Sequence, residues 1–415
     1  MYIEYDGDMK TEMWVSLCCL FLGACGGSNF VTPPTAPNAT AKDDTDYVQN
    51  LVTAGHTVPA GNYVLRRTIV VTGKVVGVGP ETHFIFQPSP PWLQCQNDRA
   101  FTTPCDTVYN LGLQSWVPRR QIAAPIAIGA TSFETVDDAS DLGAGDWLII
   151  TEKDMAVGDP VVVDWVQVAS TAGHSIKVTS PFRTAFPNLR TWDPLSGGLG
   201  FFKTVNVARN VSFRNFDLEV VNSDSSISVP GISAFAAQQV TVDHVNVTDT
   251  YGQALYSYLS QDVHLSNCSG DSGPVLSEFA ATVDLTITAC SFRSQGDAGF
   301  GLDLGTGYFS ISASSSVGYG IGFYLLYGIH DGTVQGLSIP YIPATSYAVG
   351  ILARGTQRVI ITGNTLSGGT GQASMGLSIG GAGTLEVPVE SFDNTISPNV
   401  FGAQWAIDYD PNNAP

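Results

Sequence analysis

The chain has 415 residues, of which 44 are glycine and only 13% are charged. It holds 18 Lys and Arg residues against 37 Asp and Glu residues, so its formal net charge is −19. This excludes nucleic acid as an expected partner, because phosphate binding requires clustered lysine and arginine. A hydrophobic content of 44% with so few charges argues against disorder. The composition favours short strands joined by tight turns.

The first 42 residues predict export rather than a folded domain. Residues 13–24 are an apolar run that is too short to span a bilayer and is typical of a signal peptide. The run ends in Leu22-Gly-Ala-Cys25, which resembles the bacterial lipoprotein box, where the cysteine is lipidated. We predict a signal with a lipoprotein box over 1–25 and a tether over 26–42, with an ordinary cleaved signal as the alternative. The lipid on Cys25 would be the sole attachment to a membrane of the cell envelope.

Residues 43–120 predict an N-terminal cap and the first coils of a repetitive β structure. Residues 46–52 have the pattern of a short helix with Asp46 near its start. The segments 58–64, 68–72 and 75–82 combine strand-forming residues with Pro and Gly turn signals. Residues 91–120 are expected to form a long loop, which a disulfide between Cys95 and Cys105 would pin.

Residues 121–190 predict a small all-β module. Apolar and polar residues alternate there with the period of a strand over 132–136, 146–151, 161–168 and 175–179. From residue 191 to the end, the pattern changes to the main series of coils and a C-terminal cap.

The main series is a repeat. Short apolar strands recur at intervals of 22 to 29 residues, starting at Val211, Val240, Val263, Leu285, Phe309, Val334, Val359 and Leu385. A second apolar strand follows each of the first seven, as in 232–235 and 255–259. A period of this length with no helical pattern predicts stacked β coils. The expected fold is therefore an all-β solenoid with a small inserted β-module.

Two sequences of the first coils, VPAGNYVL at 58–65 and VVGVGPET at 75–82, resemble the entry to the pectate-lyase superfamily β-helix. The resemblance is to its glycosyl hydrolase 28-related group, which includes phage tailspikes. It implies a right-handed parallel β-helix, and it puts a homotrimer among the expected assemblies. Lyases, hydrolases, epimerases, transferases and glycan-binding spikes share this scaffold, so the resemblance does not define the reaction.

In similar proteins the inserted module often lines one end of the substrate groove. The resemblance therefore makes Trp147, Trp165 and Trp192 candidates for stacking on sugar rings. A place in the core is the favoured expectation for Trp147 and Trp165. Trp192 lies in a Pro-rich loop and is the better candidate for substrate binding.

Cys268 and Cys290 each lie five residues after the start of a repeat. On stacked coils their Cα atoms would be about 4.8 Å apart, which is within the range that a disulfide tolerates. Two inward-facing thiols are the alternative.

Four carboxylates are predicted to cluster on two neighbouring coils. Alignment of the second strands places Ala234, Ser257, Glu278 and Asp303 in one outward-facing column, with Glu278 and Asp303 about 4.8 Å apart at Cα. Asp271 and Asp297 lie in matching turns of the same coils. Stacked carboxyls can hold one proton between them and serve as general acid and base in glycosidic cleavage. A Ca²⁺ site or solvated turn aspartates are the alternatives.

A polysaccharide lyase is the second hypothesis for function. Elimination requires a base and a cation that neutralises the uronate carboxylate. Residues on the same coils that could serve are His244, Tyr256, Tyr258, His264 and Arg293. Tyr251, on the coil before the two turn aspartates, is together with Tyr256 and Tyr258 a candidate for substrate binding. His244 also occupies the slot of Asn215 and Asn267 in neighbouring coils, where a polar side chain commonly stabilises a turn.

Three functions are thus open: glycosidic cleavage or transfer, β-elimination that Ca²⁺ would assist, and glycan binding without catalysis. The expected partner in each case is a polysaccharide or oligosaccharide, and the sequence contains no zinc-ligand spacing, Ser/His/Asp arrangement or nucleotide motif.

Overall fold

The computed structural model describes residues 43–88, 99–110, 115–156, 158–221, 229–249, 251–296, 298–340, 347–367, 373–382, 385, 387, 389–401 and 406–409. The chain begins there with helix α1 (Thr45–Thr53), which confirms the predicted capping helix. No helix in these ranges is both long enough and apolar enough to cross a membrane.

Strands make up nearly all of the remaining regular structure. Before the module they are β1 (Gly61–Leu65), β2 (Ile69–Val70), β3 (Lys74–Val76), β4 (Thr82–Phe86), β5 (Phe101–Thr102), β6 (Tyr109–Asn110) and β7 (Ser115–Trp116). The module contains β8 (Arg120–Gln121), β9 (Ser132–Glu134), β10 (Trp147–Asp154), β11 (Asp159–Ala172), β12 (Ser175–Val178) and β13 (Gly198–Lys203).

The main coils follow the module. Their strands are β14 (Arg209–Val220), β15 (Ile232–Phe235), β16 (Gln238–Asp249), β17 (Leu255–Tyr258), β18 (Gln261–Ser266), β19 (Ser269–Ser272), β20 (Ser277–Ala280), β21 (Val283–Thr288), β22 (Ser291–Ser294), β23 (Ala298–Asp303), β24 (Gly307–Ser312), β25 (Ser315–Val317), β26 (Ile321–Leu326), β27 (His330–Gln335), β28 (Ser338–Ile339), β29 (Tyr347–Arg354), β30 (Gln357–Thr362), β31 (Thr365–Leu366), β32 (Ala373–Gly380), β33 (Thr395–Ile396), β34 (Val400–Phe401) and β35 (Ala406–Tyr409).

The coils stack into a parallel β-solenoid of about 12 turns with three faces, which confirms the predicted all-β parallel fold. Sheet 1 has ten strands in the order β2-β5-β15-β17-β20-β23-β26-β29-β32-β35. Sheet 2 runs from β3 through β14, β16 and β18 to β33, and sheet 3 runs from β1 through β4 and β19 to β34. The long strands β14 and β16 take part in both sheets 2 and 3.

One predicted strand is wrong. Leu385 lies outside any strand, and the strand that continues sheet 2 is β33, which begins ten residues later at Thr395.

The interior of the solenoid is filled by side chains that stack from coil to coil. Phe292 lies 4.4 Å from Phe300 between ring centroids, and Phe300 lies 4.5 Å from Phe323. These aromatic side chains are fully or almost fully buried. Because the alternate residues of each strand point inward, every coil adds one layer to a continuous apolar core.

The corner between sheets 2 and 3 is built from residues in the left-handed backbone conformation. One residue per coil adopts it there, with φ between 48° and 65°: Asn215, His244, Asn267, Ala289, Ala313, Gly336 and Gly363. Asn and Gly tolerate this conformation best, which explains their presence in the column. The predicted place of His244 in the same slot as Asn215 and Asn267 is confirmed.

The module is a six-stranded antiparallel sheet in the order β8-β13-β10-β11-β12-β9. It covers part of the outer face of sheet 1, where Trp165 is buried and its indole N–H donates to the carbonyl of Leu259 at 3.1 Å. Arg183 ties the module to a corner of the solenoid through Asp284, at 2.7 Å between Nη1 and Oδ1. The outward face of sheet 1 is therefore largely an interior surface.

Close approach of the module requires glycine at the corner of the solenoid. A Cβ on Gly328, which has a φ of +85°, would lie 2.0 Å from the carbonyl oxygen of Val161. Gly363 has a similar φ of +62° but no atom within 4 Å of its Cβ position.

We predict that Gly328→Ala lowers the free energy of unfolding by about 3–5 kcal/mol, because the cost of backbone strain and the cost of a clash with the module are summed. The matched change Gly363→Ala should cost about 1–2 kcal/mol, from backbone strain alone. Urea denaturation of both variants measures the difference. Equal losses of unfolding free energy in the two variants would show that the module does not lie in close contact with this corner.

Candidate functional site

The outer face of sheet 1 carries two columns of side chains beneath the module. The first contains Ser233, Tyr256, Glu278, Gly301 and Tyr324, which pair in register from strand to strand. The second contains Phe235, Tyr258, Ala280 and Asp303. Both columns point away from the apolar interior of the coils.

The predicted single column of Ala234, Ser257, Glu278 and Asp303 is therefore wrong in its register. Glu278 pairs with Gly301, and Asp303 pairs with Ala280. The error arises because Phe279 pairs with Ser257 and Leu302, not with Tyr258 and Leu304. Leu304 instead turns the corner, with a φ of 57°. Ala234 and Ser257 point inward, whereas both carboxylates point outward. Glu278 and Asp303 are diagonal neighbours, about 7–8 Å apart at Cα rather than 4.8 Å.

Asp159 of the module joins Glu278 and Asp303, and we call these three residues the acidic cluster. Tyr258 donates its hydroxyl to Asp159 Oδ1 at 2.8 Å, and Gln253 donates its amide to Glu278 Oε2 at 2.8 Å. Asp303 is fully buried, and its Oδ2 has no hydrogen-bond partner among the described residues. Glu278 and Asp159 are partly buried residues, so the acidic cluster lies closer to the surface at these two positions than at Asp303.

Burial raises the pKa of all three carboxyls. The pKa of Glu278 rises to about 7, and the nearby Asp159 carboxylate adds to the effect of burial. The pKa of Asp303 is raised well above its ordinary value by burial and by the charge of Glu278. Burial also raises the pKa of Asp159, while Lys153 and the Tyr258 hydroxyl favour its ionised form. The cluster therefore retains protons near neutral pH.

Aromatic rings flank the acidic cluster. Tyr256 and Tyr258 stack with ring centroids 6.2 Å apart and planes within 6°. Tyr324 lies over Gly301, where a Cβ would be 2.1 Å from its ring. Its hydroxyl is buried without a hydrogen-bond partner in the described part of the chain. Burial raises the pKa of each of these three phenols, and neighbouring carboxyls raise it further.

Two basic residues complete the site. Lys153 is buried and donates from Nζ to the carbonyls of Gly158 and Leu195 at 3.0 and 2.9 Å. Burial lowers the pKa of Lys153 to about 8. Arg99 donates to the hydroxyl of Ser233 at 3.0 Å, at the start of the first column.

Several residues of the site were not predicted from the sequence: Asp159, Lys153, Arg99, Tyr324 and Gly301. The first two belong to the module, which is remote in sequence from the coils that it covers. Gly301 and Tyr324 carry no local signal that distinguishes them from other residues of the coils.

Other candidates lie away from the acidic cluster. Asp271 and Arg293 are register partners on β19 and β22 of sheet 3, so they do not face Glu278 on sheet 1. His244 is 61% exposed at the corner of sheets 2 and 3, where its Nδ1 lies 3.0 Å from Asp243 Oδ1. Asp297 lies outside the described residues. Of the predicted four carboxylates, Glu278 and Asp303 thus lie together on sheet 1 with Asp159, whereas Asp271 lies on sheet 3.

The remaining aromatic candidates have structural contacts. Tyr251 is partly buried in a turn where its backbone N–H donates to Asp249 Oδ1 at 3.1 Å. Trp192 is partly buried, and the Arg119 guanidinium lies 5.2 Å from its ring centroid. Trp165 is in the core as expected, and Trp147 packs against it with ring centroids 6.2 Å apart.

The structure decides between a disulfide and two inward-facing thiols at Cys268 and Cys290. Cys268 and Cys290 are buried free thiols on neighbouring coils, so the disulfide predicted between them is wrong and the stacked thiols are observed. Cys105 is in a disulfide. Its predicted partner Cys95 and the predicted lipidation site Cys25 lie outside the described residues.

A Ca²⁺ site was the alternative role for the carboxylates. Within the described ranges, no group of three or more His, Cys, Asp or Glu side chains is arranged to hold a metal ion.

Comparison with known proteins supports the fold. The chain is similar to the tailspike protein gp49 from Pseudomonas phage LKA1, at 14% identity and a TM-score of 0.52, over 88% of this chain and 69% of that one. It is similar to the tailspike gp61 of Pseudomonas phage phi297, at 14% identity and a TM-score of 0.51. That match covers 88% of this chain but only 59% of the tailspike. No sequence family and no curated protein matches. At this identity the likeness concerns the fold alone.

We predict that Glu278→Gln reduces the dependence of stability on pH. The pKa of Glu278 is raised from an ordinary 4.5 to about 7, so the folded state binds more protons and its stability falls as pH rises through this window. Urea denaturation at pH 5 and pH 8 should show a smaller difference for the variant than for the wild type, by on the order of 2 kcal/mol. Asp271→Asn is the control, and it should retain the full difference. An unchanged difference in Glu278→Gln would contradict the raised pKa.

We also predict that Tyr324→Phe raises the free energy of unfolding by about 1 kcal/mol, because it removes a buried hydroxyl that has no partner among the described residues. Tyr308→Phe is a matched comparison, since the Tyr308 hydroxyl is also unpartnered there but lies at a corner beside Arg183. Thermal and urea denaturation measure both. A loss of stability in Tyr324→Phe would mean that its hydroxyl makes a stabilising hydrogen bond.

Proposed function

We propose that this protein is a carbohydrate-active enzyme that cleaves or transfers glycosidic linkages of an extracellular polysaccharide. The observation that carries the proposal is the acidic cluster, in which three carboxyls with raised pKa values meet between sheet 1 and the module. The fold also supports the proposal, because the parallel β-solenoid is similar to the folds of two tailspike proteins.

In this proposal Glu278 is the general acid. It is a partly buried residue, and a carboxyl with a pKa of about 7 is still protonated to a useful extent at neutral pH. It would protonate the oxygen of the leaving sugar while the bond to the anomeric carbon breaks. The Gln253 amide holds its other oxygen and keeps the carboxyl in place.

Asp159 is the proposed base. It faces the solenoid from the module, and the Tyr258 hydroxyl and Lys153 favour its ionised form. Two carboxyls with environments that favour different protonation states are the arrangement that acid–base cleavage of a glycoside requires. Asp303 is fully buried, so its role would be to keep the proton on the cluster rather than to contact substrate.

Tyr256, which is partly buried and is the register partner of Glu278, would provide an apolar surface for a sugar ring.

β-Elimination is the second candidate, and Lys153 is the observation that favours it. A lysine with a pKa lowered to about 8 could act as a base or neutralise a uronate carboxylate. Against it, burial raises the pKa of Tyr256 and Tyr258, so neither phenol is suited to abstract a proton. Export, lipidation at Cys25 and assembly as a homotrimer remain parts of the proposal.

The test is an assay on dextran, curdlan, xylan, alginate and polygalacturonate that follows reducing ends and ultraviolet absorbance together. Reducing ends alone indicate hydrolysis, and both signals indicate elimination. We predict that Glu278→Gln and Asp159→Asn each lower kcat at least about 100-fold, as loss of a general acid or base does. The wild-type rate should fall above pH 7 as Glu278 ionises.

Asp271→Asn is the matched control, because it removes an aspartate of the same coil that lies on sheet 3. It should keep the wild-type rate. Full activity in both Glu278→Gln and Asp159→Asn would overturn the assignment, and absence of cleavage across the panel with retained binding would favour a glycan-binding protein.

A further inference from the structure

A polar groove lies on the outer face of sheet 2, away from the acidic cluster on sheet 1. Its volume is about 360 Å³, and its lining residues are Asn210, Val211, Ser212, Arg214, Gln239, Thr241, Asp262 and His264. A volume of this order accommodates one or two sugar residues. The groove crosses three successive strands, β14, β16 and β18, so its side chains are held by a rigid sheet.

Ser212, Thr241 and His264 form one outward column of the groove, since they are register partners on successive strands. Lys74 extends the column by one strand on the other side of Ser212. His264 Nε2 lies 2.7 Å from Asp262 Oδ1, which fixes the imidazole and leaves Nδ1 available. The column thus combines two hydroxyls with the Lys74 ammonium, which donates hydrogen bonds, and with the Nδ1 of the His264 ring.

Two cations lie on this face of sheet 2: Arg214 lines the groove, and Lys74 lies one strand beyond Ser212. Among the described residues, neither Arg214 nor Lys74 forms an ion pair, although the chain carries a net charge of −19. Asp243 is the register partner of Arg214, but its Oδ1 accepts a hydrogen bond from Ser266 at 2.6 Å and lies beside His244. A free guanidinium on a rigid sheet suits a planar carboxylate, to which it donates two parallel hydrogen bonds.

Neutral polar side chains surround these cations. Asn210 and Gln239 are exposed corner residues with φ values of 55° and 57°, and neither side-chain amide has a partner in the described part of the chain. An amide both donates and accepts, and a sugar hydroxyl does the same. The groove therefore offers one carboxylate-binding group and several hydroxyl-binding groups.

We propose that this groove is a second saccharide site, which binds the carboxylate of a uronate residue through Arg214 and the sugar hydroxyls through Asn210 and Gln239. The site is separate from the acidic cluster and does not depend on cleavage there. It would hold an acidic polysaccharide on a face of the solenoid that the module leaves open.

Isothermal titration at low salt tests the proposal, with trigalacturonate and trimannuronate as probes and maltotriose as the neutral trisaccharide. We expect at least one acidic probe to bind and maltotriose not to bind. Arg214→Gln should weaken binding at least fivefold without a change in melting temperature, because Arg214 is exposed. Arg293→Gln removes an exposed arginine on sheet 3 and should bind like the wild type.

Two further measurements distinguish the groove from the acidic cluster and from a general anion site. Glu278→Gln should bind the acidic probe with wild-type affinity, and loss of binding in this variant would place the ligand in the acidic cluster. Inorganic phosphate should not displace the probe at equal concentration, and equal competition would reduce the groove to a general anion site. Failure of both acidic probes to bind, or unchanged binding in Arg214→Gln, overturns the proposal, whatever the cleavage assay shows.

Discussion

The structure depends on the in-register stacking of one coil on the next. Parallel hydrogen bonds between strands set which residues are neighbours, and the left-handed corner residues keep each coil the same shape as the last. A side chain in this fold is therefore positioned mainly by the residue one coil away. The aromatic stack from Phe292 to Phe323 and the outer column from Ser233 to Tyr324 are both products of this rule.

The module changes the chemistry of sheet 1 more than its shape. An outward-facing carboxylate on a bare solenoid would be solvated and ionised, but the module buries Asp303 and partly buries Glu278. Burial disfavours the charged form, so the proton affinity of both groups rises. The same burial leaves the hydroxyl of Tyr324 and one oxygen of Asp303 without partners among the described residues, which costs stability. Unsatisfied polar groups at such a place are typical of a site selected for function rather than for stability.

The charges of the chain are distributed unevenly over its three faces. Sheet 1 holds the acidic cluster beneath the module, whereas sheet 2 presents Arg214 and Lys74 without ion-pair partners among the described residues. A net charge of −19 would by itself repel an acidic polysaccharide. Local placement of cations on an open, rigid face can offset that repulsion over short distances, because salt screens the rest of the molecule. The proposed binding site and the proposed cleavage site thus lie on different faces.

The sequence alone determined the all-β class, the repeat, the helix at the cap, the place of His244 in a corner and the outward direction of Glu278. These features can be predicted from short segments of sequence, because the alternation within a strand and the spacing of turns are local properties. The tertiary structure decided the register between coils of unequal length. In that register Glu278 pairs with Gly301, so Asp303 lies two residues beyond the position predicted for it. It also brought Asp159 and Lys153 to the coils through the docking of the module. Such contacts depend on packing between segments that are distant in sequence, so no local sequence pattern predicts them.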